Sequence, residues 1–151
     1  SMLPSEEMFQ RRFNDYFVIY LPRDGVSGDF YWMTHLTDAT ILAAADCTGH
    51  GVPGALMSML GYSLLKQIVN EMGYYKPDKI LKILDISVRD VLCRIEMSDQ
   101  VQDGMDISLL RYRPEAMAVD IAGAHNGLYH LRNQEMTCIR GDRMGRRRGA
   151  G

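Results

Sequence analysis

The chain has 151 residues, 46% hydrophobic and 24% charged, with 17 basic against 19 acidic side chains and a formal charge of −2. This composition fits one globular domain that can bury a core without disulfide support, and the near-neutral balance argues against a broad nucleic-acid footprint. No apolar run approaches the roughly 18–20 residues of a membrane span. Cys47, Cys93 and Cys138 show neither CxxC nor CxxH spacing. That speaks against a zinc site or a disulfide framework and for a reducing, cytoplasmic setting. Ser1-Met2 reads as a cloning remnant and no signal peptide follows it, so the expectation is a fragment whose parent extends upstream and is free to be membrane-tethered through a sensor region.

In chain order, residues 1–14 read as a linker or a short N-terminal helix. Phe17-Val18-Ile19-Tyr20-Leu21 is a β-rich run stopped by Pro22, and Arg23-Asp24-Gly25 is a turn. Phe30–Met33 and Ile41–Ala45 read as two strands joined by a short hairpin loop at Thr37-Asp38. A helix is predicted from Pro53 to Met72, with Leu56, Leu60, Leu64 and Ile68 at four-residue spacing and Gly73 as its stop. A second is predicted from Pro77 to Met97, its buried face formed by Ile80, Leu81, Ile83, Leu84, Val88, Val91, Leu92 and Ile95. Strands follow at Ile107–Tyr112, Ala116–Ile121, Leu128–Leu131 and Met136–Ile139, separated by hairpin-length turns that include Gly123–Gly127. A hairpin, two helices and an antiparallel meander indicate an α+β fold. Residues 146–151 are expected to be a flexible basic tail.

With the turn at Thr37-Asp38, Trp32 faces Ala43, Phe30 faces Ala45, and Asp29 faces Asp46 on the opposite side of the hairpin. Directly opposed residues place their Cβ atoms about 4.5–5.5 Å apart. Like charges so placed repel, and a divalent cation between them would relieve the repulsion. All-oxygen ligation favours Mg²⁺ or Mn²⁺. The alternative is a pair of solvated strand-end acids, and a one-residue slip in register would send them to opposite faces.

Gly49-His50-Gly51-Val52-Pro53-Gly54 spells G-x-G-x-x-G between a strand and a helix. A dinucleotide site needs a parallel βαβ unit, which a helix leading into a second helix does not supply. What survives is close backbone approach and an anion-favouring helix N-terminus, suited to a phosphate group. His50 either donates a proton to a leaving oxygen or faces water.

Val26-Ser27-Gly28-Asp29-Phe30-Tyr31 and Ala45-Asp46-Cys47-Thr48-Gly49-His50-Gly51-Val52-Pro53-Gly54-Ala55-Leu56-Met57 strongly resemble blocks of the SpoIIE-type branch of metal-dependent protein phosphatases (the PPM, or protein phosphatase 2C, clan). Asp103-Gly104-Met105-Asp106-Ile107-Ser108-Leu109 and Ala122-Gly123-Ala124-His125-Asn126 match further blocks in the same order, so the resemblance covers about residues 15–145. It implies an α/β/β/α sandwich of two antiparallel sheets flanked by helices, with a dinuclear Mn²⁺ or Mg²⁺ centre at one edge. By the resemblance, Asp46 bridges the metals, the Cys47 carbonyl binds one, and Asp29 holds the second directly or through water. Asp46 and His50 are the catalytic candidates, Gly49 and Gly51 the phosphate loop. Asp103 and Asp106 are either an accessory metal site or a loop acid and a strand-start acid. Some relatives carry a non-acidic residue such as lysine in the place of His50.

The family pattern continues with a strand carrying Thr-Asp-Gly and a final strand carrying paired aspartates, and this chain ends before either. Around Gly141-Asp142-Arg143-Met144-Gly145 it also lacks two residues that the family usually has between the Met and the Gly. The resemblance implies a bacterial signalling Ser/Thr phosphatase. Its substrate would be a small phosphorylated regulatory protein such as an anti-sigma-factor antagonist, with no nucleic-acid or membrane contact by this segment and with a dimer compatible. Weak or absent turnover is expected from these residues alone. The alternative is a truncated or degenerate phosphatase fold that binds the phosphoprotein as a regulatory module without turning it over.

Overall fold

The structure is a computed structural model that describes residues 3–22, 27–49, 51–94 and 104–140. A short helix α1 (Glu6–Gln10) precedes the hairpin of β1 (Phe30–His35) and β2 (Thr40–Cys47). Helix α2 (Gly51–Lys66) runs on as a π-helical turn (Gln67–Glu71) and is followed by α3 (Pro77–Arg94). The remaining strands are β3 (Met105–Arg113), β4 (Ala118–Ala124), β5 (Leu128–Arg132) and β6 (Glu135–Ile139). The strands form two antiparallel sheets, a four-stranded one in the order β1-β2-β3-β4 and a two-stranded β5-β6.

Strand alternation sets the layers. Phe30 and Trp32 on β1, Ile41, Ala43, Ala45 and Cys47 on β2, and Ile107 and Leu109 on β3 point to one face and form a single buried cluster with the two long helices. The pairs Phe30↔Ala45 and Trp32↔Ala43 occur as the hairpin turn predicts, each large ring set against a methyl group. Gly61 of α2 lets the helix settle onto this face, since a Cβ there would lie 2.9 Å from the Phe30 ring.

The predicted helices are present, and of the four-residue row Ile68 is buried and Leu60 and Leu64 pack half-buried against the core, but the centre of the contact face lies on a neighbouring stripe. The buried residues are Gly54, Met57, Ser58, Gly61 and Leu65, whereas Leu56 is 60% exposed. Small residues on the contact face allow a closer approach to the sheet than a leucine row would permit. The π-helical turn adds one residue to the winding, with the Met72 amide donating to the Gln67 carbonyl, so the adjacent residues Ile68 and Val69 are both buried. Gly73, at φ +74°, ends the run as expected. Along α3, Ile80, Leu81, Leu84 and Val88 are buried, Ile83, Val91 and Leu92 are half-buried, and Ile95–Met97 lie outside the described residues.

Three strand expectations need correction. Phe17–Leu21 is extended chain without a ladder, and Phe17, Ile19 and Leu21 are largely exposed. β-propensity reflects fit to a half-buried pleated surface, and no described strand pairs with this run to provide one. The strand predicted at Ala116 begins at Ala118, because Pro114–Met117 closes a turn in which the Met117 amide donates to the Pro114 carbonyl. That strand then continues through Gly123 to Ala124, and the chain breaks at His125, with φ +62°. This break divides the expected meander, so β5 and β6 form their own sheet. The turn expected at Arg23-Asp24-Gly25 and the basic tail lie outside the described residues.

The buried stripe of α2 is open to a direct test. Leu65→Ala should lower unfolding free energy by about 2–5 kcal/mol, while Leu56→Ala should stay within about 0.5 kcal/mol, both read by denaturant melts.

Candidate metal centre

The hairpin register carries Asp29 and Asp46 to the same end and the same face of the sheet. Phe30 pairs with Ala45 on the core side, which leaves Asp29 beside Asp46 on the opposite side, both exposed. Partial burial, and then the neighbouring Asp46 charge and a side-chain hydrogen bond with it, raise the Asp29 carboxyl above its usual value. Asp106 stands directly across from Asp46 on the next ladder and is also exposed. Its carbonyl accepts a 3.2 Å bond from the Asn126 amide. Three acids therefore lie in a row at this end of the sheet, Asp46 and Asp106 on neighbouring strands and Asp29 just ahead of β1. Among the described residues, no group of three or more Asp, Glu, His or Cys side chains converges on one ion position.

Cys47 follows Asp46 with its side chain in the core. Burial, reinforced by the Asp46 and Asp29 charges, pushes its thiol up to about 12, so the sulfur stays protonated at neutral pH. Its backbone is what faces the site. The Cys47 amide donates to the Gly28 carbonyl at 3.4 Å, and a Cβ on Gly28 would lie 2.9 Å from the Cys47 carbonyl oxygen. Glycine at position 28 permits that close backbone approach. Two carboxylates and a carbonyl gathered at one sheet end form an oxygen-only donor set, which fits Mg²⁺ or Mn²⁺ and not zinc.

The glycine loop is built by close backbone approach. Gly49 (φ +94°) and Gly51 (φ +66°) adopt left-handed conformations that L side chains disfavour, and a Cβ on Gly54 would come 2.6 Å from the Gly49 carbonyl oxygen. The loop is pinned on its other side by Thr48, whose amide and hydroxyl both bond Gly104 just ahead of β3. His50 and Asp103 lie outside the described residues. The two acids open onto a groove of about 540 Å³ floored by Tyr31, Leu42, Ala44, Ser108 and Leu110 on the face of the sheet away from α2 and α3, with Phe9 of α1 at its wall.

Sequence reasoning did not single out the residues that hold Asp29 in place. Ser27 Oγ accepts the Asp29 amide at 3.0 Å, Tyr20 donates to the Asp29 carbonyl at 3.1 Å, and the buried Ser58 of α2 donates to the Ser27 carbonyl at 3.0 Å. The available signal was a serine among small residues on one side of α2, a pattern hidden by the more conspicuous leucine spacing.

Two outcomes follow for the metal-free protein. Gly54→Ala should cost about 1–3 kcal/mol through overpacking against the Gly49 carbonyl, read as a lowered melting temperature. Because the Asp29 carboxyl is raised, its uncharged form is favoured in the fold. The Asp29 contribution to stability is therefore largest in acid and should fall as pH climbs from the ordinary carboxylate range, about 4, through the raised value. Asp29→Asn should flatten that part of a melting-temperature profile.

No protein-family model and no curated protein matches the chain. Among solved structures it is similar to the SiaA-PP2C domain of Pseudomonas aeruginosa, at 30% identity and a TM-score of 0.80 over 94% of this chain and 55% of that one. It is also similar in fold to the RsbU and RsbW domains of a Mycobacterium tuberculosis protein, at 19% identity and a TM-score of 0.55 over 79% of this chain and 31% of that one. The chain thus spans about half the length of the first relative. Its two antiparallel sheets, its helices and these likenesses give it the fold of a PP2C-type (PPM) phosphatase domain.

Proposed function

We propose that this chain is part of a metal-dependent serine/threonine protein phosphatase of the SpoIIE type that acts on a small phosphorylated regulatory protein in bacterial signalling. The observation that supports this most is the hairpin register, which sets Asp29 beside Asp46 at the rim of an open groove in a chain 30% identical to a PP2C domain. Asp46, Asp29 and the Cys47 carbonyl would hold Mn²⁺ or Mg²⁺. Such ions supply charge neutralisation and an activated water for in-line displacement at phosphorus.

The chain's own residues do the positioning. The two carboxylates lose their mutual repulsion when a cation lies between them, so the repulsive pair favours the loaded state. The left-handed backbone at Gly49 and Gly51 leads into the N-terminus of α2, where unpaired amides favour a phosphate oxygen. A phosphoserine or phosphothreonine on a folded partner can reach this rim, since both acids are exposed. A phosphorylated anti-sigma-factor antagonist is the substrate class we favour. No described helix is long and apolar enough to cross a membrane.

The test is release of phosphate from an aryl phosphate ester and from a phosphorylated antagonist protein, with and without Mn²⁺. It would be run on this chain and on a longer form continued at its C-terminus. Mn²⁺-dependent release by the longer form, falling by about 10²-fold or more in Asp46→Asn, is expected on the scale of losing a principal electrostatic group. Binding of the phosphoprotein without release in either form would instead identify a non-catalytic recognition module. Metal-free Asp46→Asn should melt no lower than wild type, since removing one of two facing like charges relieves about 0.2–1 kcal/mol. Mn²⁺ should raise the melting temperature of wild type but not of this variant.

A further inference from the structure

Ser58 has no evident reason to be a serine if α2 only packs. It is 2% exposed, lies in the contact stripe with Gly54, Met57 and Gly61, and would be replaced by alanine with a gain in helix propensity. Its hydroxyl already has an acceptor within its own helix, the Ala55 carbonyl at 2.9 Å. It nevertheless also reaches the Ser27 carbonyl at 3.0 Å, on a segment that belongs to no strand or helix. A buried hydroxyl that could be satisfied locally is thus shared with the chain just ahead of the first acid.

That segment carries the contact onward. Ser27 Oγ accepts the Asp29 amide at 3.0 Å, so Ser27 is held through its carbonyl by α2 and holds Asp29 through its side chain. Gly28, between them, lies against the Cys47 carbonyl oxygen and the Gly54 Cα, and it accepts the Cys47 amide. Asp29 stands one residue outside the β1–β2 ladder, which begins at Phe30↔Ala45, and beyond it only the long 3.4 Å Cys47–Gly28 bond continues the register, so the hairpin holds its backbone weakly. The Ser58–Ser27 link ties this segment to α2, beside the Tyr20 hydroxyl that donates to the Asp29 carbonyl.

We propose that Ser58 is a positioning residue that, through Ser27, sets the placement of Asp29 relative to Asp46 and the Cys47 carbonyl; this rests on reading those groups as a divalent-cation site. Residues that orient metal ligands without touching the ion typically contribute about 10–100-fold to affinity. The link is a single neutral hydrogen bond, so the lower end of that range applies.

The experiment is titration of this chain with Mn²⁺ alone, read as a dissociation constant by calorimetry or by loss of the free-Mn²⁺ paramagnetic resonance signal, with melting temperature recorded for each variant. Ser58→Ala should weaken Mn²⁺ binding roughly tenfold. Ser27→Ala, in a half-buried position outside the core, should weaken it similarly and keeps the test open if Ser58→Ala folds poorly. Ser58→Thr, which keeps the hydroxyl, should recover most of the affinity. Ile68→Val, a core truncation remote from this link, should lower the melting temperature while leaving Mn²⁺ affinity within about twofold, since distant sites add independently. Wild-type affinity in both serine-to-alanine variants would overturn this inference and leave the metal-site reading standing. Absence of Mn²⁺ binding by wild type itself would overturn both.

Discussion

Two carboxylates set side by side by a β-hairpin are an unfavourable arrangement that the rest of this domain maintains. Partial burial, and after it the Asp46 charge, raise the Asp29 carboxyl. The hairpin alone holds them weakly, because Asp29 lies just beyond the last ladder pair and only a 3.4 Å Cys47–Gly28 bond follows it. They stay adjacent because the neighbouring backbone is held elsewhere: by Ser27 and Tyr20 against Asp29, by Gly28 against Cys47, and by Gly54 against Gly49. The core beneath, where Phe30 and Trp32 pack on the helices, keeps the hairpin from sliding.

The glycines at positions 28, 49 and 54 bring three backbone segments within van der Waals contact. Helix α2 therefore begins almost on top of the strand ends that carry the acids. Gly54 in its first turn lies against both Gly28 and Gly49, next to the acid-bearing positions 29 and 46. Facing carboxylates attract a cation and a helix N-terminus favours an anion, so two complementary electrostatic features meet at one end of the sheet.

Much of this was legible in the amino-acid order. The hairpin register followed from a two-residue turn and from aromatics facing alanines, and it brought Asp29 and Asp46 together correctly. The helices followed from periodicity and from glycine and proline at their ends. The small-residue stripe of α2 was not visible because leucines at four-residue spacing outweigh glycines and a serine in any count of hydrophobicity, while close packing against a sheet selects small residues. The Phe17–Leu21 run was misread because strand formation depends on a partner that local composition does not reveal. The adjacency of Asp106 to Asp46 could not be seen either, since it depends on which strand lies next to β2 after two intervening helices.

The π-helical turn at Gln67–Glu71 has a consequence for how the chain tolerates change in length. Each helical residue advances the winding by about 100°, from 3.6 residues per turn. Deleting one residue there could restore an ordinary α-helix, yet it would swing Gly73 and the entry to α3 by more than a quarter of a revolution and pull Ile68 and Val69 out of joint shelter. The irregular turn thus acts as a phase adjuster: a local imperfection in winding that keeps two helices in step on one sheet.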